Sequence, residues 1–279
     1  MSARLLATLE LFRPHNMAAA AVCVYSSYYL SGGREFHPVL PAVVFTAFVT
    51  GLGNLINDYF DADIDRVNKP RRPIPSGRLS RRYVFRLYSV GTIIVTLLMF
   101  VFLPRALLVL MLIWEVLLFL YARKAKRVAL VGNILIGSVC ASAFLAGAMV
   151  IGTYDVVVFP IGFAFVFVMG RELVKGAEDV EGDSAVGAST LAVRFGARRA
   201  AHWGAALLFV CAVAAPLPAL VQFYGRIYGL LIELVVVPGI LAAAYIVLRF
   251  PKRVMFNRAS WILKIEMFLG IIVIGLGRS

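Results

Sequence analysis

Nine of the 15 acidic residues in this chain occupy two short stretches of sequence. They are Asp58, Asp61, Asp63 and Asp65 in the first stretch, and Glu172, Glu178, Asp179, Glu181 and Asp183 in the second. Carboxylate oxygens are hard ligands. Mg²⁺ usually takes one or two of them and completes its coordination with water and substrate phosphate. The two stretches therefore predict a magnesium site.

The spacing of the aspartates predicts which way they face. If the first stretch continues a helix, Asp58, Asp61 and Asp65 share one face and Asp63 points nearly opposite. The two aspartates of the second stretch are four residues apart and likewise share a face. Two carboxylate faces at the mouth of a helix bundle repel each other unless a cation lies between them. The expected catalytic and metal-binding aspartates are Asp58, Asp61 and Asp65 in one metal set, and Asp179 and Asp183 in the other.

A solvated polar loop, whose acids pair with arginines, is the alternative explanation for either stretch. Two such stretches on the same side, each at a helix end, favour a metal site over this explanation. A calcium EF-hand loop is excluded because its ligand spacing and its glycine do not fit.

A basic segment follows the first aspartates directly. Its cations are Lys69, Arg71, Arg72 and Arg78, and its prolines are Pro70, Pro73 and Pro75. The prolines are expected to hold the segment extended, and Ser76-Gly77 to supply a turn. A rigid basic segment beside a Mg²⁺ site suits a polyanionic substrate such as a diphosphate.

The elements that position these residues are membrane helices. The chain is 61% hydrophobic with a mean hydropathy of +0.88, and its apolar runs are helix-length, without the alternation of a membrane barrel. The sequence predicts an all-α polytopic membrane protein: a single transmembrane domain over 1–279, with nine transmembrane helices and a cytoplasmic cap of two Asp-rich loops. The expected spans are 15–33, 38–57, 83–103, 104–121, 129–150, 154–170, 200–223, 227–249 and 259–277.

The net charge of +13 is distributed as in a membrane protein. With a cytoplasmic N-terminus, 22 Lys/Arg fall in cytoplasmic segments and only four, Arg34, Arg105, Arg226 and Arg278, fall in outer ones. This asymmetry follows the positive-inside rule. It predicts a multi-pass protein of the cell membrane, with the active site in the cytoplasm. The expected partner of the basic surplus is anionic lipid, not nucleic acid.

Several other positions carry weaker expectations. Leu5, Leu6, Leu9 and Phe12 predict a short interfacial helix over 3–12, with a cytoplasmic extension of the first span as the alternative. Three glutamates are expected to lie inside spans and to form structural pairs; they are Glu115, Glu233 and Glu266. The expected partner of Glu266 is Lys264 or Arg86. The cysteines are expected to be small buried hydrophobic residues; they are Cys23, Cys140 and Cys211.

The motifs resemble those of the UbiA-type intramembrane prenyltransferases. The family signature N-D-x-x-D-x-x-x-D is matched from Asn57 to Asp65, and its second signature, D-x-x-x-D, from Asp179 to Asp183. A basic element, "YARKAKR", matches over 121–127. The presence of both signatures in a protein with this arrangement of membrane helices is specific to the family, whereas either signature alone is weak evidence. The resemblance implies Mg²⁺-dependent transfer of a prenyl group from a polyprenyl diphosphate to a lipid acceptor.

Three further stretches resemble the archaeal lipid branch of that family: "FRPHN", "NDYFDADIDRVNKPRRPIPSGR" and "RELVKGAEDVEGD". The branch implies geranylgeranyl diphosphate as donor and geranylgeranylglyceryl phosphate as acceptor, in membrane ether-lipid biosynthesis. Gly176 departs from the pattern, because relatives commonly carry an aspartate there. Glu178, Glu181 or a water would then complete the second metal site.

The resemblance and the chemistry together assign roles to further residues. Asn57 is expected to bind a metal or position a carboxylate. Tyr121 belongs to the matched basic element, and Asn16 is expected to line the cavity. The residues expected to hold diphosphate are Arg71, Arg72, Lys124 and Lys126. The candidates for a phosphate on the acceptor are Arg13, Arg171 and Lys175.

Three other functions are alternatives to this one. A prenyltransferase with an aromatic acceptor, as in quinone or haem side-chain biosynthesis, would use the same aspartates. A cation transporter should carry its acids near the bilayer midplane, not at helix ends. A CDP-alcohol phosphotransferase needs a D-G pair closely followed by A-R, which the chain does not contain. The oligomeric state is not determined by the sequence.

The charge distribution generates a prediction about topology. In a variant without native cysteines, a single cysteine introduced at position 187 should be labelled from the cytoplasmic side of oriented vesicles, because the basic segments stay inside. Labelling by an impermeant reagent from the outer side would contradict the assigned orientation.

Overall fold

The computed structural model describes residues 3–277, whose regular elements are all helical, as expected. The first seven helices are α1 (Ala3–Phe12), α2 (Pro14–Leu30), α3 (Leu40–Asn68), α4 (Arg81–Phe102), α5 (Arg105–Arg123), α6 (Val131–Ile151) and α7 (Val158–Glu178). The remaining helices are α8 (Val180–Ala185), α9 (Leu191–Phe195), α10 (Ala197–Ala214), α11 (Leu217–Leu220), α12 (Arg226–Leu231), α13 (Val237–Arg249) and α14 (Arg253–Gly275). A π-helical turn over Ile232–Val236 joins α12 to α13.

Seven helical segments of the described chain are long and apolar enough to cross a membrane. They contain α3, α4, α5, α6, α7, α10 and the joined α12–α13. The two other predicted spans coincide with α2 and α14. α2 has only 17 residues, and α14 carries Arg253, Arg258, Lys264 and Glu266. The multi-pass architecture is therefore confirmed with seven such segments, and the count of nine is not.

The predicted cap of two Asp-rich loops is wrong, because helix ends carry the aspartates. α3 is 29 residues long and runs through the whole first stretch to Asn68. No proline or glycine interrupts residues 54–69, and the Asp65 carbonyl accepts the Lys69 amide at 2.8 Å. In the second stretch, Asp179 lies between α7 and α8, and Asp183 lies within α8. We call this side of the molecule the aspartate end.

Close helix contacts surround the bundle centre. α6 packs against α2 and α7, and α7 packs against α10. A Cβ on Gly147 of α6 would lie 2.0 Å from the Ser27 Oγ of α2, and a Cβ on Gly204 of α10 would lie 2.7 Å from the Gly170 carbonyl oxygen of α7. Small residues at such crossings let helix backbones approach closely, as is common between membrane helices. This packing fixes the position of α7 and therefore the place where its acidic C-terminal end lies.

The basic segment after α3 is folded in turns, so the prediction of an extended segment is wrong. The Arg72 amide bonds to the Lys69 carbonyl at 3.0 Å, and the Leu79 amide to the Pro73 carbonyl at 3.0 Å. Pro73 and Leu79 are buried, which draws the segment back onto the bundle. Gly77 has φ +77°, as predicted for a turn. The turns place the basic side chains over the aspartate end.

The weaker expectations had mixed outcomes. Residues 3–12 do form a helix, α1. Cys23 and Cys211 are buried as expected, whereas Cys140 is exposed.

The glutamates also differ from expectation. Glu115 accepts a hydrogen bond from Thr96 at 3.0 Å. Glu266 is 8% exposed and forms no ion pair within residues 3–277, so its expected pairing is wrong. Its carboxylate packs against the backbone of α13 at Gly239, where a Cβ would lie 1.9 Å from its Oε1. Glu233 is exposed on the π-helical turn.

Candidate active site

A cavity of about 110 Å³ opens at the aspartate end, between α3, α7 and the segments that follow α5 and α8. Four of the five predicted catalytic aspartates line it. They are Asp61, Asp65, Asp179 and Asp183. The chain thus brings both acidic stretches to one cavity, although more than a hundred residues separate them in sequence.

The predicted helical face of the first stretch is confirmed. Asp58 and Asp65 are each 4% exposed, and Asp61 lines the cavity. The Asp63 carboxylate faces away and is 51% exposed, with Arg66 at 3.3 Å and Arg81 at 3.2 Å. This is the arrangement that 3.6 residues per turn imposes on the spacing 58, 61, 65.

Cationic side chains pair with the aspartates of α3. Nη1 of Arg72 lies 2.6 Å from Oδ2 of Asp65 and 3.2 Å from Oδ1 of Asp58. Asp58 does not line the cavity, because it lies beneath this guanidinium and also pairs with Arg13. Burial opposes the charged form of Arg72, but the two carboxylates hold the pKa of Arg72 above its usual value.

The basic element after α5 contacts Asp61, another aspartate that lines the cavity. The Lys126 ammonium pairs with Asp61 and donates to Oδ1 of Asn57 at 3.0 Å. The Asn57 amide also donates to Oδ2 of Asp61 at 2.8 Å. Asn57 therefore positions a carboxylate, one of the two roles expected for it. Burial lowers the pKa of Lys126, and the Asp61 charge opposes that effect.

Asn68, a residue that the sequence reasoning missed, ties the two acidic stretches together. Its amide donates to the Asp179 carbonyl oxygen at 2.9 Å, and its Oδ1 accepts the Gly182 amide at 3.2 Å. A Cβ on Gly182 would lie 2.3 Å from the Asn68 side chain, so this close approach requires glycine. Lys69, the next residue, lies 3.2 Å from Oδ2 of Asp179. The available signal was the position of Asn68, one turn after Asp65 on the same helix.

Asp183 is held differently from the other aspartates. Within residues 3–277 its carboxylate accepts only a 3.4 Å hydrogen bond from the Thr190 hydroxyl and forms no ion pair. Burial, followed by the negative charges of Asp179 and Asp61, raises the pKa of Asp183 to about 6. Asp183 is thus a carboxylate without a cationic partner, aimed into a cavity lined by other carboxylates.

A short backbone contact holds the basic element beside Asp183. The Ala129 amide bonds to the Ser189 carbonyl oxygen at 2.9 Å, and the Ser189 amide bonds to the Arg127 carbonyl oxygen at 2.7 Å. Arg127 lines the cavity, although the sequence reasoning did not single it out. It belongs to the same basic run as Lys126, which was the signal available.

The donor set fits Mg²⁺ when each ion takes one or two carboxylates. Within the described chain, no three acidic, histidine or cysteine side chains are grouped closely enough to hold one ion by themselves. Oδ1 of Asp179, however, is buried and has no hydrogen-bond partner among residues 3–277. Together with the unpaired Asp183, it offers hard oxygen ligands at the cavity wall, as Mg²⁺ prefers.

The structure divides the predicted substrate-binding residues into two groups. Six line the cavity: Arg13, Asn57, Arg72, Tyr121, Lys126 and Lys175. Four lie outside its lining: Asn16, Arg71, Lys124 and Arg171. Arg71 and Lys124 are exposed. Asn16 bonds to Asn54 at 3.4 Å, and Arg171 to Glu172 at 2.9 Å.

Gly176, where the resemblance led us to expect an aspartate, also lines the cavity. A Cβ built there has no atom of residues 3–277 within 4 Å. The position is therefore open space, and no carboxylate of the described chain fills it.

Residues 20–271 match the UbiA prenyltransferase family. The chain belongs to the UbiA prenyltransferase family. It is therefore an enzyme of the prenyltransferase class, and the matched range contains both aspartate motifs.

Two members of the family are similar to this chain over nearly its whole length. The chain is 36% identical over 270 residues to digeranylgeranylglyceryl phosphate synthase of Methanothermobacter thermautotrophicus, covering 96% of this chain and 95% of the relative. It is 35% identical over 271 residues to the enzyme of the same name from Thermococcus kodakarensis, covering 95% of each. The match extends over nearly the whole UbiA chain and so includes both motifs.

Solved structures of UbiA proteins share the fold. A structure from a study of digeranylgeranylglyceryl phosphate synthase in membranes superposes with a TM-score of 0.74 at 29% identity, over 98% of both chains. A UbiA homologue from Archaeoglobus fulgidus bound to GPP and Mg²⁺ gives a TM-score of 0.65 at 19% identity, over 96% of this chain and 99% of that one. At 19% identity the second likeness shows the fold alone.

Asp63 supplies an internal control for the aspartate face. Asp61→Asn, Asp65→Asn and Asp179→Asn should each lower turnover roughly a hundredfold or more, because losing a transition-state metal contact costs several kcal/mol. Asp63→Asn should stay within about fivefold, since it loses only screened surface pairs. The measurement is prenyl transfer by folded, detergent-purified variants. Equal damage from Asp63→Asn and Asp61→Asn would contradict the assigned face.

Replacing Asp183 with Asn should raise the stability of the protein and abolish its activity. A folded-state pKa of about 6, against an ordinary 3.8, means that stability falls as the pH rises between these values. In chelator at pH 7.5, Asp183→Asn should therefore raise the free energy of unfolding by about 2 kcal/mol and Tm by roughly 2–6 °C. The gain should shrink at pH 4, and turnover should be lost. Asp63→Asn is the matched control, and a Tm below wild type at pH 7.5 would refute the account.

Proposed function

We propose that the chain transfers a geranylgeranyl group from geranylgeranyl diphosphate to geranylgeranylglyceryl phosphate. One observation carries the proposal: a cavity lined by four aspartates and by basic side chains lies at the end of an apolar helix bundle. Such a cavity suits a substrate with a diphosphate head and a long apolar tail. The names of the most similar relatives support the same donor and acceptor.

Asp61 and Asp65 would hold one Mg²⁺, and Asp179 and Asp183 the other, with diphosphate oxygens completing each coordination sphere. Asp58 supports the first set from beneath through its bond to Arg72. When bound, Mg²⁺ supplies electrostatic stabilisation of the charge that grows on the leaving diphosphate. This assignment of the metal sets rests on the cavity lining and on the oxygen-only donor set.

The cations of the cavity would change partners when the donor binds. Arg72, Lys126 and Lys69 are now paired with Asp65, Asp61 and Asp179. A diphosphate is a stronger anionic partner, because its oxygens can accept several charge-assisted hydrogen bonds at once. Diphosphate binding would thus turn these cations toward the substrate and release carboxylates for Mg²⁺. Donor and metal should therefore bind cooperatively.

The apolar bundle would protect the reaction from water. Departure of the diphosphate leaves an allylic cation, which must be shielded until the acceptor hydroxyl attacks its C1 atom. The hydroxyl proton would pass to the released diphosphate. Tyr121 lines the cavity, and Cys140 of α6 is near enough to affect the Tyr121 hydroxyl electrostatically. These residues would face the prenyl chain, with the charged groups confined to the aspartate end.

The proposed setting is the cell membrane, with the aspartate end in the cytoplasm. The support is the excess of Lys/Arg in the segments that would lie on that side. α2 and α14 would then complete nine spans, in a single transmembrane domain. The substrates would be delivered from the surrounding lipid.

An acceptor panel tests the function. Purified protein with Mg²⁺ and radiolabelled geranylgeranyl diphosphate should prenylate geranylgeranylglyceryl phosphate as the main product. A metal chelator should abolish turnover, and added Mg²⁺ should restore it. A prenylated aromatic acid as the main product would replace the acceptor assignment, and full activity in chelator would refute the metal site.

Donor and metal cooperativity has its own measurement. The apparent Kd for Mg²⁺ should fall roughly tenfold or more when a non-hydrolysable prenyl diphosphate analogue is present, because the analogue competes for the cations now paired with aspartates. Lys126→Gln should reduce this coupling, since Asp61 is then already free of its ammonium partner. An unchanged Mg²⁺ affinity in the presence of the analogue would contradict the exchange of partners.

A further inference from the structure

Three cationic side chains on α7 and α14 form a group that we call the basic cluster: Arg171, Lys175 and Lys264. α14 packs directly against α7 and α2. Lys264 lies on α14 near enough to Arg171, Arg13 and Lys175 for their positive charges to act on its ammonium. Lys264 was not among the substrate-binding residues expected from the sequence.

The basic cluster has more positive charge than its surroundings neutralise. Glu172 is its only carboxylate partner within residues 3–277, at 2.9 Å from Arg171 and 3.9 Å from Lys175. Arg13 does not add to this excess of positive charge, because it pairs with Asp58. Arg72 is then left to neutralise Asp65. Three cations share one carboxylate, so two positive charges remain without an anion.

Two hydrogen-bond donors of the basic cluster lack an anionic acceptor in the described chain. The Nε of Arg171 is buried and has no hydrogen-bond partner among residues 3–277. Lys264 is half-buried, and its ammonium lies 4.8 Å from the centre of the Trp261 ring. A cation–π contact leaves the ammonium able to bind an anion. These donors indicate that an external anion completes the cluster.

Arg171 and Lys264 lie deeper than the metal-binding aspartates, whereas Lys175 reaches the cavity that those aspartates line. Arg171 precedes Asp179 by eight residues on α7, which is roughly 12 Å along a helix axis. Lys264 follows Arg253 by eleven residues on α14, roughly 16 Å deeper than the Arg253–Glu181 ion pair at the aspartate end. Unpaired charges at such depth in a membrane protein are costly and mark functional sites.

We propose that the basic cluster binds the phosphate monoester of the lipid acceptor, with Lys264 as the residue that selects a phosphorylated acceptor. A phosphate monoester carries a charge of about −1.5 to −2, which matches the two unneutralised charges. This inference rests on the proposed function and assigns the acceptor its own anion site. Arg171 and Lys264 hold the acceptor phosphate, and the cations at the aspartate end hold the donor diphosphate.

Lys264 also lies where a lipid can reach it. Trp261, on which its ammonium stacks, is 58% exposed on the outer surface of α14. An acceptor that enters the bundle along this face would pass the Lys264 ammonium on its way to Arg171. The flexible lysine stem can follow a bound phosphate over part of that path.

The test is a steady-state comparison of Lys264→Gln, Lys264→Arg and Arg171→Gln with the wild type. Lys264→Gln and Arg171→Gln should raise KM for geranylgeranylglyceryl phosphate roughly 10- to 100-fold, as expected for a lost charge-assisted hydrogen bond. KM for geranylgeranyl diphosphate should stay within about twofold. Lys264→Arg should retain most of the acceptor affinity. Arg258→Gln, an exposed basic residue of the same helix, is the matched control.

The acceptor without its phosphate, geranylgeranylglycerol, isolates the phosphate contact. Lys264→Gln should use it as well as the wild type does, so that selectivity for the phosphorylated acceptor falls by the same factor. An acceptor KM within twofold of wild type, or an equal rise in the donor KM, would overturn the inference and leave the proposed function intact. A wild-type enzyme that does not prenylate the phosphorylated acceptor would overturn both.

Discussion

The bond between Arg72 and the two buried aspartates of α3 is the interaction on which the active site depends. Asp58 and Asp65 are each 4% exposed, and a buried carboxylate without a counter-charge is strongly destabilising. Arg72 supplies that charge from the turn segment, which it thereby fastens over the cavity. The segment in turn brings Lys69 to Asp179. One guanidinium thus couples the end of α3 to the second motif.

The same pairing explains how a cavity rich in carboxylates can exist before a metal binds. Lys126 and Lys69 neutralise Asp61 and Asp179 in the way that Arg72 neutralises Asp65. Asp183 is the exception, and the neighbouring negative charges act on it directly. The charges of these aspartates are therefore neutralised except at Asp183, where an added cation would be stabilised most. A divalent ion there relieves a repulsion as well as forming new bonds.

Two anionic groups would have to be kept apart during the reaction, and the fold separates the charges that could bind them. The aspartate end combines cations with carboxylates, which suits a metal–diphosphate complex. The basic cluster has a single carboxylate and suits an anion without a metal. A phosphate bound with Mg²⁺ needs the first environment, and a phosphate monoester that only has to be held needs the second.

The sequence alone determined the helical class, most of the membrane segments and the facing of the first motif. Apolar length fixes a membrane helix, and the spacing 58, 61, 65 fixes a face once the backbone is helical. Arg72 and Lys126 were found because they adjoin the motifs. Tertiary structure decided the rest: Arg71 and Lys124 point outward, whereas Asn68, Arg127 and Lys264 join groups far away in sequence. Such contacts arise only when separate helix ends are packed together, and local spacing carries no record of them.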